Sequence, residues 1–134
     1  MADSLCTLSG PRGTLVFKET AATSTLEQNV LGKAANAGAT IYAMRVNATS
    51  NTGEDVYLAI YENSSATAAQ LTVGTHHPVT VVKCAAGSIV EVLVPCGIAT
   101  SANSNYFHAC VKQSAGTAGN TSPSGTVSFT IIGE

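Results

Sequence analysis

Thr126-Val127-Ser128-Phe129-Thr130-Ile131-Ile132 is the stretch that decides the fold class. Val127, Phe129 and Ile131 recur at every second position, and Ser128 and Thr130 fall between them. A period of two is that of an extended strand with one face in a core and the other in polar surroundings. Tyr106 to Lys112 repeats the pattern, with Phe107, Ala109 and Val111 opposed by Tyr106, His108 and Lys112. Further runs lie at 14–18, 26–31, 40–46, 55–62, 70–73, 79–83 and 88–94. They are rich in β-branched and aromatic residues, as strands are. The best helix candidate, Ala21 to Leu31, is short and has Thr and Ser crowded into its first half. The intervals at 34–38, 47–53, 63–69, 97–105 and 113–125 supply the Gly, Asn, Ser and Pro that turns require. The expectation is an all-β chain: a single-domain antiparallel β-sandwich over 1–134, jelly roll or Ig-like Greek key, with eight or nine strands. A short N-terminal arm over about residues 1–12 precedes it.

Two runs depart from simple alternation. Val56, Leu58 and Ile60 form one apolar face, yet Tyr57, Ala59 and Tyr61 on the other face are apolar too. Val90, Val92 and Val94 are opposed by Ile89 and Leu93. A strand apolar on both faces is covered on both faces. In a two-layer sandwich the outer cover comes from a loop or from another subunit, which makes Tyr57, Tyr61, Ile89 and Leu93 candidate oligomer-interface residues.

Composition narrows the function. The 134 residues suit one domain, and a chain this long buries roughly 65–70% of its unfolded surface without a metal or disulfide. Charged residues make up 10%, against about 25% in an average soluble domain. Ala, Thr, Ser, Gly and Asn supply 70 of the 134 residues, so the surface is built largely from small uncharged groups. Net charge is −2, and the six Lys and Arg are scattered singly. That disfavours nucleic acid and anionic membrane surfaces as partners. The apolar stretches are too short for a membrane-spanning helix. Met1-Ala2-Asp3-Ser4 lacks the basic and apolar regions of a secretory leader, so the expected place of synthesis is a cytoplasm. Cys6, Cys84, Cys96 and Cys110 show no CxxC spacing and are expected as free thiols. The Asn-x-Ser/Thr triplets at Asn47, Asn63 and Asn120 are the number that chance supplies in so Ser/Thr-rich a chain.

Little chemistry is on offer. Glu54 and Asp55 are adjacent on a strand, so their side chains diverge. A glycosidase dyad would require Glu62 and Glu91 to face one sugar. His76-His77-Pro78 reads as a turn, because two histidines without a third ligand make a weak metal site. His108, Cys110 and Lys112 share one strand face, where a neighbouring cation could lower a thiol pKa. The phosphate-binding glycine loops and the Gly-x-Ser-x-Gly elbow are absent. The chain is therefore expected not to be an enzyme and to need no cofactor and no metal. A sugar-binding module needs exposed aromatic rings, for which Tyr57 and Tyr61 are the candidates.

A short N-terminal segment Met1 to Lys18, an all-β body, few charges, abundant Ala, Thr, Ser and Gly, and a closing strand at Gly125 to Glu134 give an overall style. In that style the chain resembles the cement or decoration proteins of tailed-bacteriophage heads. The resemblance implies a virion protein that oligomerises, as a trimer above other small assemblies. Such a protein sits on a major capsid protein and stabilises the shell by protein–protein contacts. The competing expectation is a carbohydrate-binding or host-adhesion module of fibre or lectin type.

Overall fold

The computed structural model describes residues 15–134, so the expected arm and Cys6 lie outside the described residues. Seven strands form: β1 (Leu15–Glu19), β2 (Thr40–Ser50), β3 (Val56–Asn63), β4 (Thr80–Cys84), β5 (Ile89–Ala99), β6 (Tyr106–Lys112) and β7 (Thr126–Gly133). No helix forms among the described residues. The strands make two antiparallel sheets, ordered β1-β7-β2-β5 and β4-β3-β6.

Alternation carries straight through into packing. Val127, Phe129 and Ile131 of β7 enter one core with Val56, Leu58 and Ile60 of β3 and with Phe107, Ala109 and Val111 of β6. Phe17 of β1 meets Phe129 with ring centroids 5.7 Å apart. In β2 the register shifts between Ile41 and Ala43, so Ile41, Met44 and Val46 all point inward although 41 and 44 are three apart. A β-bulge does this by inserting one unpaired residue.

The sequence predicts eight or nine strands, and seven form among the described residues. The run at 26–31 is the first shortfall. It lies along the free edge of β6, where Val111 N–H donates to Thr23 O (2.9 Å), Glu27 and Ala109 exchange both backbone bonds (2.7 and 3.0 Å), and Val30 N–H donates to Phe107 O (3.0 Å). More residues lie between Thr23 and Val30 than between Phe107 and Val111, so the excess puckers outward and only the Glu27–Ala109 bridge is regular. Asn29 takes a positive φ of 45°, which breaks the extended run. The segment still serves the sheet, because it occupies backbone groups that an exposed edge would offer to another chain. The run at 70–73 is the second shortfall. Leu71 N–H closes on Ala68 O (2.9 Å), and the amides of Thr75 and His76 close on Thr72 O (3.1 and 3.0 Å), so this stretch is a chain of turns.

Candidate protein-binding face

The two sheets differ in what covers their outer surfaces. On the three-stranded sheet, Ala59, Tyr61 and Cys110 form a second apolar cluster roofed by Leu26, Leu71 and Val73, with Val81 beside it. These are the two segments that failed to become strands. The cover over 56–61 is therefore this chain's own loops. Tyr61 has no exposed surface and offers nothing to another subunit or to a sugar. Burial, with the nearby Cys110, pushes its hydroxyl pKa up to about 12. Tyr57 is half-buried between the backbones of Lys83 and Lys112.

Among the described residues nothing roofs the four-stranded sheet in this way. Ile89 and Leu93 project from the outer face of edge strand β5, 45% and 78% exposed. The four candidate interface residues thus divide between opposite sides of the sandwich. Strand register shows what surrounds Leu93. Val16 pairs with Ile132, Ile132 with Ala43, and Ala43 with Leu93, so one apolar row crosses all four strands. Its two ends, Val16 and Leu93, are the two most exposed large apolar side chains described. The next row reads Lys18, Thr130, Arg45, Glu91. Arg45 Nε lies 3.4 Å from Glu91 Oε1, and both side chains are well exposed, so that pair is worth under about 1 kcal/mol. Between the rows, a shallow depression of about 330 Å³ is lined by Ala43, Met44, Arg45, Glu91, Leu93, Thr130 and Ile132.

The residues that suggested chemistry are occupied by structural bonds. His108, Cys110 and Lys112 share the outer face of β6, as the period-two reading expected, and all three are fully buried. His108 Nδ1 accepts from Asn29 N–H (3.2 Å), so its proton sits on Nε2, which donates to Asn63 Oδ1 (2.8 Å) and Ser65 O (3.0 Å). Lys112 Nζ donates to the carbonyls of Gly116 (2.6 Å) and Gly119 (3.2 Å). Burial drives the Cys110 thiol up to about 12, although Lys112 pulls it down; a nucleophilic thiol needs the opposite shift. Glu62 and Glu91 stand on different sheets. Glu62 accepts from Ser101 N–H (2.5 Å), Ser101 Oγ (2.7 Å) and Asn105 Nδ2 (2.7 Å). Burial alone would raise its pKa, but those three donors outweigh it and hold the carboxyl below its ordinary value. Asp55 turns to Lys83 (2.9 Å) and Glu54 to Ser124 Oγ (2.6 Å), the divergence their adjacency predicts. His76 and His77 go separate ways: His76 Nδ1 accepts from Thr72 N–H (2.9 Å), and His77 Nδ1 meets Thr117 Oγ1. Among the described residues no three His, Cys, Asp or Glu gather as a metal site would require. Cys84 and Cys110 are buried free thiols and Cys96 is an exposed one.

His108 gives a pH prediction. Burial lowers its pKa, while the Ser65 contact works weakly the other way. The unfolded chain takes a proton near pH 6.5, which the folded chain refuses. Stability is therefore complete above about pH 6.5 and falls as pH drops below it, with a slope approaching about 1.4 kcal/mol per pH unit. Urea titrations at about pH 7.5 and about pH 5.5 check this. The expected result is a lower midpoint in acid, and a smaller loss in His108→Asn than in the parent. Equal midpoints for the parent at the two pH values would put His108 in contact with water.

Sequence reading missed Val16, Ala43 and Ile132 as members of the face. Ile132 carried a local signal, since the pair Ile131-Ile132 interrupts the alternation of β7 with an apolar residue on the polar side. The row itself exists only through cross-strand register. The molecule is thus an all-β two-sheet protein whose distinguishing surface is an open sheet face. No known family, curated protein or solved structure matches the chain.

Proposed function

We propose that this chain is a structural subunit that works by assembly: a cement or decoration protein that binds copies of itself and a major capsid protein in a bacteriophage head. The observation that carries this reading is the apolar row across β1, β7, β2 and β5, which no other segment among the described residues covers, in a molecule whose other sheet is sealed by its own loops. The largest apolar patch on a soluble domain is often its interaction site.

Strand order adds support by favouring the jelly-roll form, which recurs in viral capsid subunits. In an eight-stranded jelly roll the first strand neighbours the last, the last the third, and the third the sixth. In the facing sheet the second neighbours the seventh, the seventh the fourth, and the fourth the fifth. If the irregular segment from Thr23 to Val30 stands for the second strand, β1-β7-β2-β5 reproduces the first sequence of neighbours. That segment followed by β6, β3 and β4 reproduces the other. Catalysis is disfavoured because His108, Cys110 and Lys112 already spend their polar atoms on structural bonds.

Particles purified from cells carrying this gene test the reading. The chain is expected in them at a fixed ratio to the major shell protein, and shells made without it should break at lower temperature. Intact, fully stable particles that never contain the chain would overturn it.

One observation favours the adhesion alternative. A groove of about 640 Å³ is lined by Ser24, Thr25, Gln28, Thr67, Thr72 and Asn120 among others, which offer the hydroxyl and amide groups a sugar would use. No aromatic ring lines it, so a glycan there would bind without stacking. A glycan array with the purified protein tests that reading, and saturable binding lost in Asn120→Ala would favour it.

A further inference from the structure

We infer that the outer face of the four-stranded sheet pairs with the same face of a second copy, about a two-fold axis that runs parallel to the strands between β7 and β2. The inference rests on the assembly reading above and names one partner for that face.

The face is complementary to itself. A two-fold axis placed there reverses the strand order of the facing sheet while keeping each row opposite itself. β1 then lies over β5 of the second copy, and β7 over its β2. In the apolar row, Val16 meets Leu93 of the second copy and Ile132 meets its Ala43. The second contact sets a large side chain against a small one, which lets the two surfaces interlock. In the neighbouring row, Lys18 meets Glu91 of the second copy, and Glu91 meets its Lys18. Opposite charges therefore come together twice, at the two ends of a row whose charges sit on β1, β2 and β5. The alternative alignment, with β1 over β1, would stack Lys18 on Lys18 and Arg45 on Arg45. Twisted sheets packed face to face cross at about 30°, which moves the row ends apart by a few Å, within reach of Lys and Glu side chains.

A surface that complements itself closes as a pair, whereas a three-fold ring needs two different matching patches. The face therefore points to a dimer rather than the trimer that the phage resemblance implies. Its size sets the strength. Four strands about 4.8 Å apart, with three outward residues each, give roughly 400 Å² per copy and about 800 Å² for the pair. That is about half a standard interface, so the dimer is a weak, rapidly exchanging one that is sought at high concentration.

Sedimentation equilibrium of the full chain from about 10 μM to about 1 mM tests this. The expected result is a reversible monomer–dimer equilibrium. Leu93→Lys should abolish it, and Glu91→Lys or Lys18→Glu alone should weaken it about tenfold. The double variant Lys18→Glu/Glu91→Lys should return to within about threefold of the parent, because the two charges exchange places across the axis. Circular dichroism confirms that each variant keeps its β signal, and the charge variants on exposed positions stand in if Leu93→Lys misfolds. A parent that stays monomeric at 1 mM, or a double variant no better than the singles, overturns the pairing. Such a result leaves particle incorporation as the separate measure of the assembly reading.

Discussion

Phe129→Ala is expected to lower the free energy of unfolding by about 4 kcal/mol. Phe129 is almost wholly buried on β7, the strand held between β1 and β2 in the four-stranded sheet. Its ring fills the space between the sheets and packs against Phe17. Truncation removes the transfer energy of the ring and leaves a cavity that two hydrogen-bonded neighbouring strands cannot collapse into. An ordinary domain is stable by only about 5–15 kcal/mol, so the loss is a large share of the total. The adjacent residue gives the contrast. Thr130 faces outward in the same strand, and Thr130→Ala is expected to change stability by less than about 0.5 kcal/mol. Urea unfolding of the two variants measures the difference. A Phe129→Ala variant within 1 kcal/mol of the parent would mean that β7 does not present this face to the core.

The second large effect lies at Asn51, in the turn between β2 and β3. The residue is buried, and its side chain and backbone carbonyl together tie three stretches of chain. Its Oδ1 accepts from Gly125 N–H (2.6 Å) and Ser124 Oγ (3.4 Å), and its Nδ2 donates to Glu54 O (2.9 Å). Its backbone carbonyl accepts from Gly87 N–H (2.8 Å). Gly125 sits so close that a methyl group there would overlap the Ser50 carbonyl and the Asn51 backbone, so the turn cannot relax toward it. Asn51→Ala leaves a donor and an acceptor of the backbone without partners, and each such loss costs about 1–3 kcal/mol. The expected total is about 3 kcal/mol. Asn51→Asp keeps the size and the Gly125 contact but sets a buried carboxylate oxygen against the Glu54 carbonyl in place of the donor, so it too should cost at least about 2 kcal/mol. An Asn51→Asp variant as stable as the parent would show that volume rather than hydrogen bonding holds the turn.

The sequence disclosed the strands better than their number or their neighbours. Val127, Phe129 and Ile131 alternate because a core lies on one side only, and that periodicity survives intact in the fold. Leu26 to Leu31 has strand composition, yet becomes irregular because it must run beside the shorter backbone of β6. That mismatch is tertiary and leaves no local mark. The two-sided pattern at 56–61 correctly signalled a second cover, but nothing in it distinguished Leu71 and Val73 of the same chain from another subunit. At 89–94 no loop among the described residues supplies the cover, and Ile89 and Leu93 stand exposed on the outer side of an edge strand, where a second copy is the cover we infer. His108, Cys110 and Lys112 were legible as neighbours on one face. Their role was not, because the groups that occupy them, Asn29, Asn63, Gly116 and Gly119, come from distant turns.

The central claim is that the open face of the four-stranded sheet is the surface through which this protein assembles. Amide chemical shifts of the isotope-labelled full chain, followed from about 20 μM to about 1 mM, test it most directly. The expected result is concentration-dependent shifts confined to β1, β7, β2 and β5 and centred on Val16, Ala43, Leu93 and Ile132. Shifts confined to the loops over β3 and β6, or no shifts at any concentration, would contradict it.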